Sequence, residues 1–111
     1  MNDYDMSSNE RRTDSSSSGY TPSPHTERYH EVQVTHEQGL HARPASEIAK
    51  ASGRYKSEIT LIHLGTTPNK RVNGKSIIEV LLLGAPIGTG IGIHAIGPDA
   101  EEAVGTLATL F

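Results

Sequence analysis

From Tyr29 onward the chain takes on periodic texture. Val32 and Val34 alternate with Glu31, Gln33 and Thr35, the two-residue period of a half-buried strand, and Gln38-Gly39 interrupts it. Ala42, Ala45, Ile48, Ala49 and Ser52 then recur at helical spacing, with Gly53 placed as a C-terminal stop. Pro44 is tolerated only in the first turn of a helix, so this helix starts just after His41. Ile59, Leu61 and Ile62 mark a second strand. Gly65-Thr66-Thr67-Pro68-Asn69 reads as a loop, and Lys70-Arg71-Val72 as a short third strand. Ser76 can cap a short helix, Ile77 to Leu83, which Gly84 and Pro86 end. Ile91, Ile93 and Ala95 alternate as a fourth strand. Gly97-Pro98-Asp99 opens a last helix, with Asp99 and Glu102 spaced as a capping box and Ala103, Val104, Leu107, Ala108 and Phe111 as its apolar face.

The order is β-α-β-β-α-β-α, an α+β arrangement. A split βαβ plan with one extra helix fits it, giving an antiparallel sheet with helices on one face. Pattern alone leaves a ferredoxin-like topology and several relatives open.

Composition changes the picture at the N-terminal end. Residues 1–26 hold Ser7, Ser8, Ser15, Ser16, Ser17, Ser18 and Ser23 with Pro22 and Pro24, and few apolar side chains. Such a segment cannot bury enough surface to offset its ordering entropy, so a disordered Ser-rich tail is expected there and one folded domain over residues 27–111. With Asp3 and Asp5 and no apolar run, the N-terminus is not read as a secretory signal. The chain has no Cys, which removes disulfides, thiolate catalysis and Cys-zinc sites and favours the cytoplasm. No HxxxH or HxH spacing links its His residues, so no metal site is expected. A net charge of −3 argues against a nucleic-acid footprint, and no apolar run is long enough to enter a membrane as a helix.

Two glycine patterns carry no nucleotide chemistry. Gly74-Lys75-Ser76 ends like a P-loop, but the position five residues earlier is Asn69 rather than Gly. Gly88, Gly90 and Gly92 lack the later third glycine and lead into a strand, not a helix.

The informative segment is Gly39-Leu40-His41-Ala42-Arg43-Pro44-Ala45-Ser46, which sets a His at the start of a helix. The first amide N–H groups there have no intrahelical partners and favour an anion the size of phosphate. Arg43 adds a guanidinium fork suited to phosphate oxygens. A neutral imidazole in that place is a nucleophile that can carry phosphate through nitrogen. A capping loop His is the structural alternative, and the residues alone leave both readings open.

Gly39-Leu40-His41-Ala42-Arg43-Pro44-Ala45 resembles the phosphorylation site of the HPr family, the histidine-containing phosphocarriers of the bacterial phosphotransferase system. Val72-Asn73-Gly74-Lys75-Ser76-Ile77, followed by Leu83-Gly84, resembles that family's regulatory serine region. The likeness runs from about Tyr29 to Phe111. It implies an open-faced β-sandwich, a four-stranded antiparallel sheet with three helices on one face. It implies a phosphocarrier rather than an enzyme, working as a monomer without a cofactor. His41 would take a phosphoryl group on Nδ1 from phospho-enzyme I and pass it to A-type permease or regulatory domains, with Arg43 steadying the phosphate. Ser76 would be the target of an ATP-dependent HPr kinase/phosphorylase. A small acylphosphatase-like enzyme, also a split βαβ fold with an arginine cradle, is the alternative.

Helix geometry points to a docking surface. At about 100° per residue, Ile77, Ile78, Val80, Leu81 and Leu82 sweep more of the short helix than a core-facing stripe needs. Some of Ile77, Ile78, Leu81 and Leu82 are therefore expected at the surface as an apolar docking patch, and the resemblance implies that Ile77, Ile78 and Leu81 meet partners together with Ala42 beside the active His. Lys50 and Lys75 are read as solvated charges able to steer acidic partners. His30, His36, His63 and His94 receive structural readings. The chain departs from the family in a longer Gly65–Asn69 loop, in the unmatched tail, and in Glu79, where many relatives carry Gly or Lys.

Overall fold

The computed structural model describes residues 26–111. The expected tail therefore lies outside the described residues, apart from Thr26. Among the described residues, four strands and three helices follow in the expected order: β1 (Glu27–Gln33), α1 (Ala42–Ser52), β2 (Glu58–His63), β3 (Lys70–Asn73), α2 (Ile77–Leu82), β4 (Gly90–Ile96) and α3 (Ala100–Ala108). The strands form one sheet in the order β1-β4-β2-β3, and every neighbouring pair is antiparallel. That order selects the open-faced sandwich from the topologies that periodicity leaves open.

Register separates the two faces. Ile93 on β4 stands between His30 on β1 and Leu61 on β2, and Leu61 faces Val72 on β3. This layer meets the helices: α3 packs on β1 and β4, α2 lies near β3, and α1 packs on α2. The core is aliphatic, with Ile48, Leu61, Ile91, Ile93, Val80 and Leu107 fully buried. The other face shows Tyr29, Glu31, Arg71 and His94 with no helix over them, and there the Tyr29 ring lies against Gly92. β1 is an outer strand, so most of its side chains are exposed; Val34, read as strand, lies one residue beyond it and is buried.

Three local expectations are corrected. Asp99 stands at the N-cap of α3, but its side chain does not cap the helix. The carboxylate accepts instead from the Ser57 hydroxyl at 2.5 Å and from the N–H groups of Lys56 and Ser57 at 2.9 and 3.0 Å. The competing long-range donors are stronger in number than the one local amide, so the residue latches α3 to the start of β2. Second, α3 ends at Ala108, and Phe111 is buried beyond it rather than on its face. The Phe111 carbonyl accepts from the Thr35 N–H at 2.7 Å and hydroxyl at 2.8 Å, which draws the chain end away from the helix axis. Third, Gly53 does cap α1, but with φ −65° it is right-handed and makes no use of glycine's freedom.

Candidate functional site

α1 begins where the sequence places it, with His41 as N-cap in extended conformation and Pro44 inside the first turn. No side chain caps this end and no acidic residue occupies its first turn. The Ala42 and Arg43 N–H groups are thus left for an incoming acceptor. His41, Ala42 and Arg43 are all exposed. The imidazole of His41 and the guanidinium of Arg43 have no hydrogen-bond partner among the described residues.

The backbone just before His41 holds it in place. The Gly39 N–H donates to the His36 carbonyl at 2.9 Å, and the Leu40 N–H donates to the Ala85 carbonyl at 3.0 Å. The His41 N–H turns back onto the Gly39 carbonyl at 2.9 Å. Gly39 has φ +73°, and a β-carbon there would sit 2.6 Å from the Ala85 oxygen. Glycine is required both by the dihedral and by the close approach. His36 is held at the other side, its Nε2 lying 2.8 Å from the Leu110 carbonyl oxygen. The result is a shallow open depression lined by Gln38, Leu40, His41, Gly84, Ala85 and Pro86.

Ala85 follows the end of α2, so the Leu40–Ala85 bond sets the apolar helix beside His41. Its exposure matches the expectation from periodicity: Ile78 is 68% and Leu82 59% exposed, Ile77 40% and Leu81 39%, while Val80 is fully buried. Ile87, in the turn before β4, is also exposed, at 53%. Sequence reasoning missed it, although an Ile inside the Pro86-Ile87-Gly88 turn was the available signal.

The remaining residues are not gathered at His41. Ser76 stands at the opposite end of α2, about one six-residue helix length, or roughly 9 Å, from the Gly84-Ala85 end. Its Oγ accepts from the Glu79 N–H at 3.2 Å, so it is a true N-cap. Lys50 lies in the last turn of α1, exposed, with no side-chain hydrogen bond or ion pair to any of the described residues. Lys75 is exposed, as expected of a solvated charge, and its Nζ also donates to the Tyr55 carbonyl at 2.7 Å, tying the loop before α2 to the exit of α1. Among the described residues, no group of three or more His, Asp or Glu side chains is placed to hold a metal ion. Nor is any described helix long and apolar enough to cross a membrane.

Residues 29–111 match the family described as the PTS HPr component phosphorylation site. The chain is 38% identical over 82 residues to the phosphocarrier protein HPr of Xylella fastidiosa, covering 74% of this chain and 88% of that protein. It is 35% identical over 80 residues to the phosphocarrier protein HPr of Pseudomonas aeruginosa, covering 72% and 86%. Among solved structures, a phosphocarrier protein HPr from Bacillus anthracis superposes with a TM-score of 0.68 at 36% identity, covering 76% of this chain and 95% of that one.

Proposed function

The chain belongs to the HPr family of phosphotransferase-system phosphocarriers, and from that premise we propose that His41 is the residue that carries the phosphoryl group. The protein is a carrier rather than a catalyst in itself. The observation that carries the reading is an exposed, unpartnered imidazole at the uncapped start of α1, with no carboxylate in its first turn.

The chemistry is a transfer between two proteins. The His41 Nδ1 lone pair forms a bond to phosphorus as the bond joining the phosphoryl group to enzyme I breaks. The Ala42 and Arg43 N–H groups and the Arg43 guanidinium face the charge on the phosphoryl oxygens. The same steps in reverse pass the group to an A-type permease or regulatory domain. Ile77, Ile78 and Leu81 with Ala42 provide the apolar contact, and Lys50 and Lys75 the positive rim. Partners complete the site in turn, so the chain works as a cytoplasmic monomer. We assign this role to residues 27–111, where β1 starts at Glu27 and, among the described residues, the first buried apolar side chain is Val34.

Ser76 is the regulatory position in this reading, phosphorylated by an HPr kinase/phosphorylase. Support comes from its place at the start of the helix that bears the apolar patch. A dianion there lies beside the surface that meets enzyme I.

The test is phosphate uptake from phosphoenolpyruvate with enzyme I present. One phosphate per chain, stable in base and labile in acid, is expected, and none on His41→Ala. Full labelling of His41→Ala would overturn the assignment.

A further inference from the structure

Three residues around the start of α2 close a ring of hydrogen bonds. The Asn73 N–H donates to Glu79 Oε1 at 2.9 Å. The Glu79 N–H donates to Ser76 Oγ at 3.2 Å. The Ser76 N–H donates to the Asn73 carbonyl at 3.1 Å. One carboxylate and one hydroxyl thus share a single turn of chain. The carboxylate belongs to Glu79.

We infer that Glu79 is a built-in counterweight to charge on Ser76: a negative group placed on the Ser76 oxygen drives the Glu79 carboxylate off the Asn73 N–H and opens the ring. The reasons are local. Two anions on one hydrogen-bonded ring repel at short range, where salt screens little. The ammonium nearest in sequence, Lys75, is hydrogen-bonded to the Tyr55 carbonyl. The depression beside the ring is lined by two carboxylates, Glu58 and Glu79, and two cations, Arg71 and Lys75, so its charges offset one another. Glu79 is the mobile member, because its side chain can swing into solvent while Ser76 Oγ is fixed by the helix start.

The consequence is specific to this chain. Modification of Ser76 does more than add charge to a rigid surface; it loosens the Asn73–Ser76 turn and frees Glu79 beside the exposed Ile78. A chain with an uncharged residue at position 79 would keep the turn closed when Ser76 is charged. This deepens the regulatory reading of Ser76 and borrows its biological use from that reading, while the electrostatic coupling stands on the ring itself.

The test is a double-mutant cycle on the full chain. Ser76→Asp, and a phosphoserine installed at 76 during translation, are each made with Glu79 and with Glu79→Gln. Urea unfolding and hydrogen exchange at the Asn73 amide are measured for each. Charge at 76 should lower the folding equilibrium constant roughly threefold more with Glu79 than with Gln at that position, in line with exposed charge pairs. The Asn73 amide should lose protection only where both charges are present. Equal stability penalties in the two backgrounds, or an Asn73 amide that stays protected in the doubly charged chain, would overturn the inference. Failure of a serine kinase to label Ser76 in either background counts against the regulatory reading of Ser76, whereas the cycle alone decides the role of Glu79.

Discussion

Replacing Gly39 with Ala tests how the site is held. Two costs fall on the same residue. A non-glycine side chain at φ +73° costs about 1–2 kcal/mol from left-handed strain. The new β-carbon would lie 2.6 Å from the Ala85 oxygen and 3.0 Å from the Pro86 α-carbon, both backbone atoms that cannot rotate away. Relief requires the two segments to part, which breaks the Leu40 N–H bond to Ala85 and costs about 1 kcal/mol more. The expected loss is therefore about 2–3 kcal/mol. Gly88→Ala is the control: φ is +87°, yet nothing lies within 4 Å of its β-carbon, so strain alone applies, about 1–2 kcal/mol. Urea denaturation of both variants measures the difference, and phosphate uptake measures its effect on the site. Gly39→Ala should be the less stable by about 1 kcal/mol and should transfer several-fold more slowly, because parting Leu40 from Ala85 moves His41 away from α2. Equal stability and equal transfer in the two variants would refute the claim that the Leu40–Ala85 contact positions His41.

Three other outcomes follow from the same structure. Burial raises the Asp99 carboxyl pKa, but hydrogen bonds from the Ser57 hydroxyl and from backbone N–H groups outweigh it and hold the pKa below the usual 3.8. Its stabilisation is therefore full above the unfolded value and lost as pH falls through the lowered one, so Asp99→Ala should cost about 2–3 kcal/mol at pH 7 and flatten the acid limb of a stability profile. Ser52 is fully buried and its Oγ has no partner, so Ser52→Ala should leave thermal stability unchanged or raise it by up to about 1 kcal/mol. Ile78→Asp should fold as well as the parent, because Ile78 is exposed, but should raise the KM for transfer from enzyme I about tenfold; an unchanged KM would remove α2 from the docking surface.

Much of the fold is legible because one-sided burial imposes a period. The two-residue alternation of β4 and the helical spacing of α1 each follow from a face turned toward one core, and Pro44 and Ser76 mark helix starts by backbone chemistry alone. The place of His41 and Arg43 at a helix entrance is legible from Pro44, which is tolerated only in the first turn, whereas the carrier role comes from the resemblance to the HPr site, since the residues alone leave a capping His open. What escapes is the choice a polar residue makes between near and distant partners. Asp99 has the spacing of a capping box, yet three donors from Lys56 and Ser57, more than forty residues away in the chain, take its carboxylate. Lys75 reads as a solvated charge and stays exposed, but its bond to the Tyr55 carbonyl, like the bond from the Asn73 N–H to Glu79, leaves no signal in the periodicity. The end of α3 is lost in the same way, since Phe111 answers to Thr35 rather than to its own helix.

Central to the account is that His41 alone accepts the phosphoryl group, through its Nδ1 nitrogen. The most direct measurement is nitrogen–phosphorus coupling by NMR on the uniformly nitrogen-15-labelled chain, phosphorylated with enzyme I and phosphoenolpyruvate. A single phosphorus resonance coupled to Nδ1 of His41, with the rings of His25, His30, His36, His63 and His94 unchanged, is predicted. Coupling to Nε2, or to the ring of any other histidine, would contradict it.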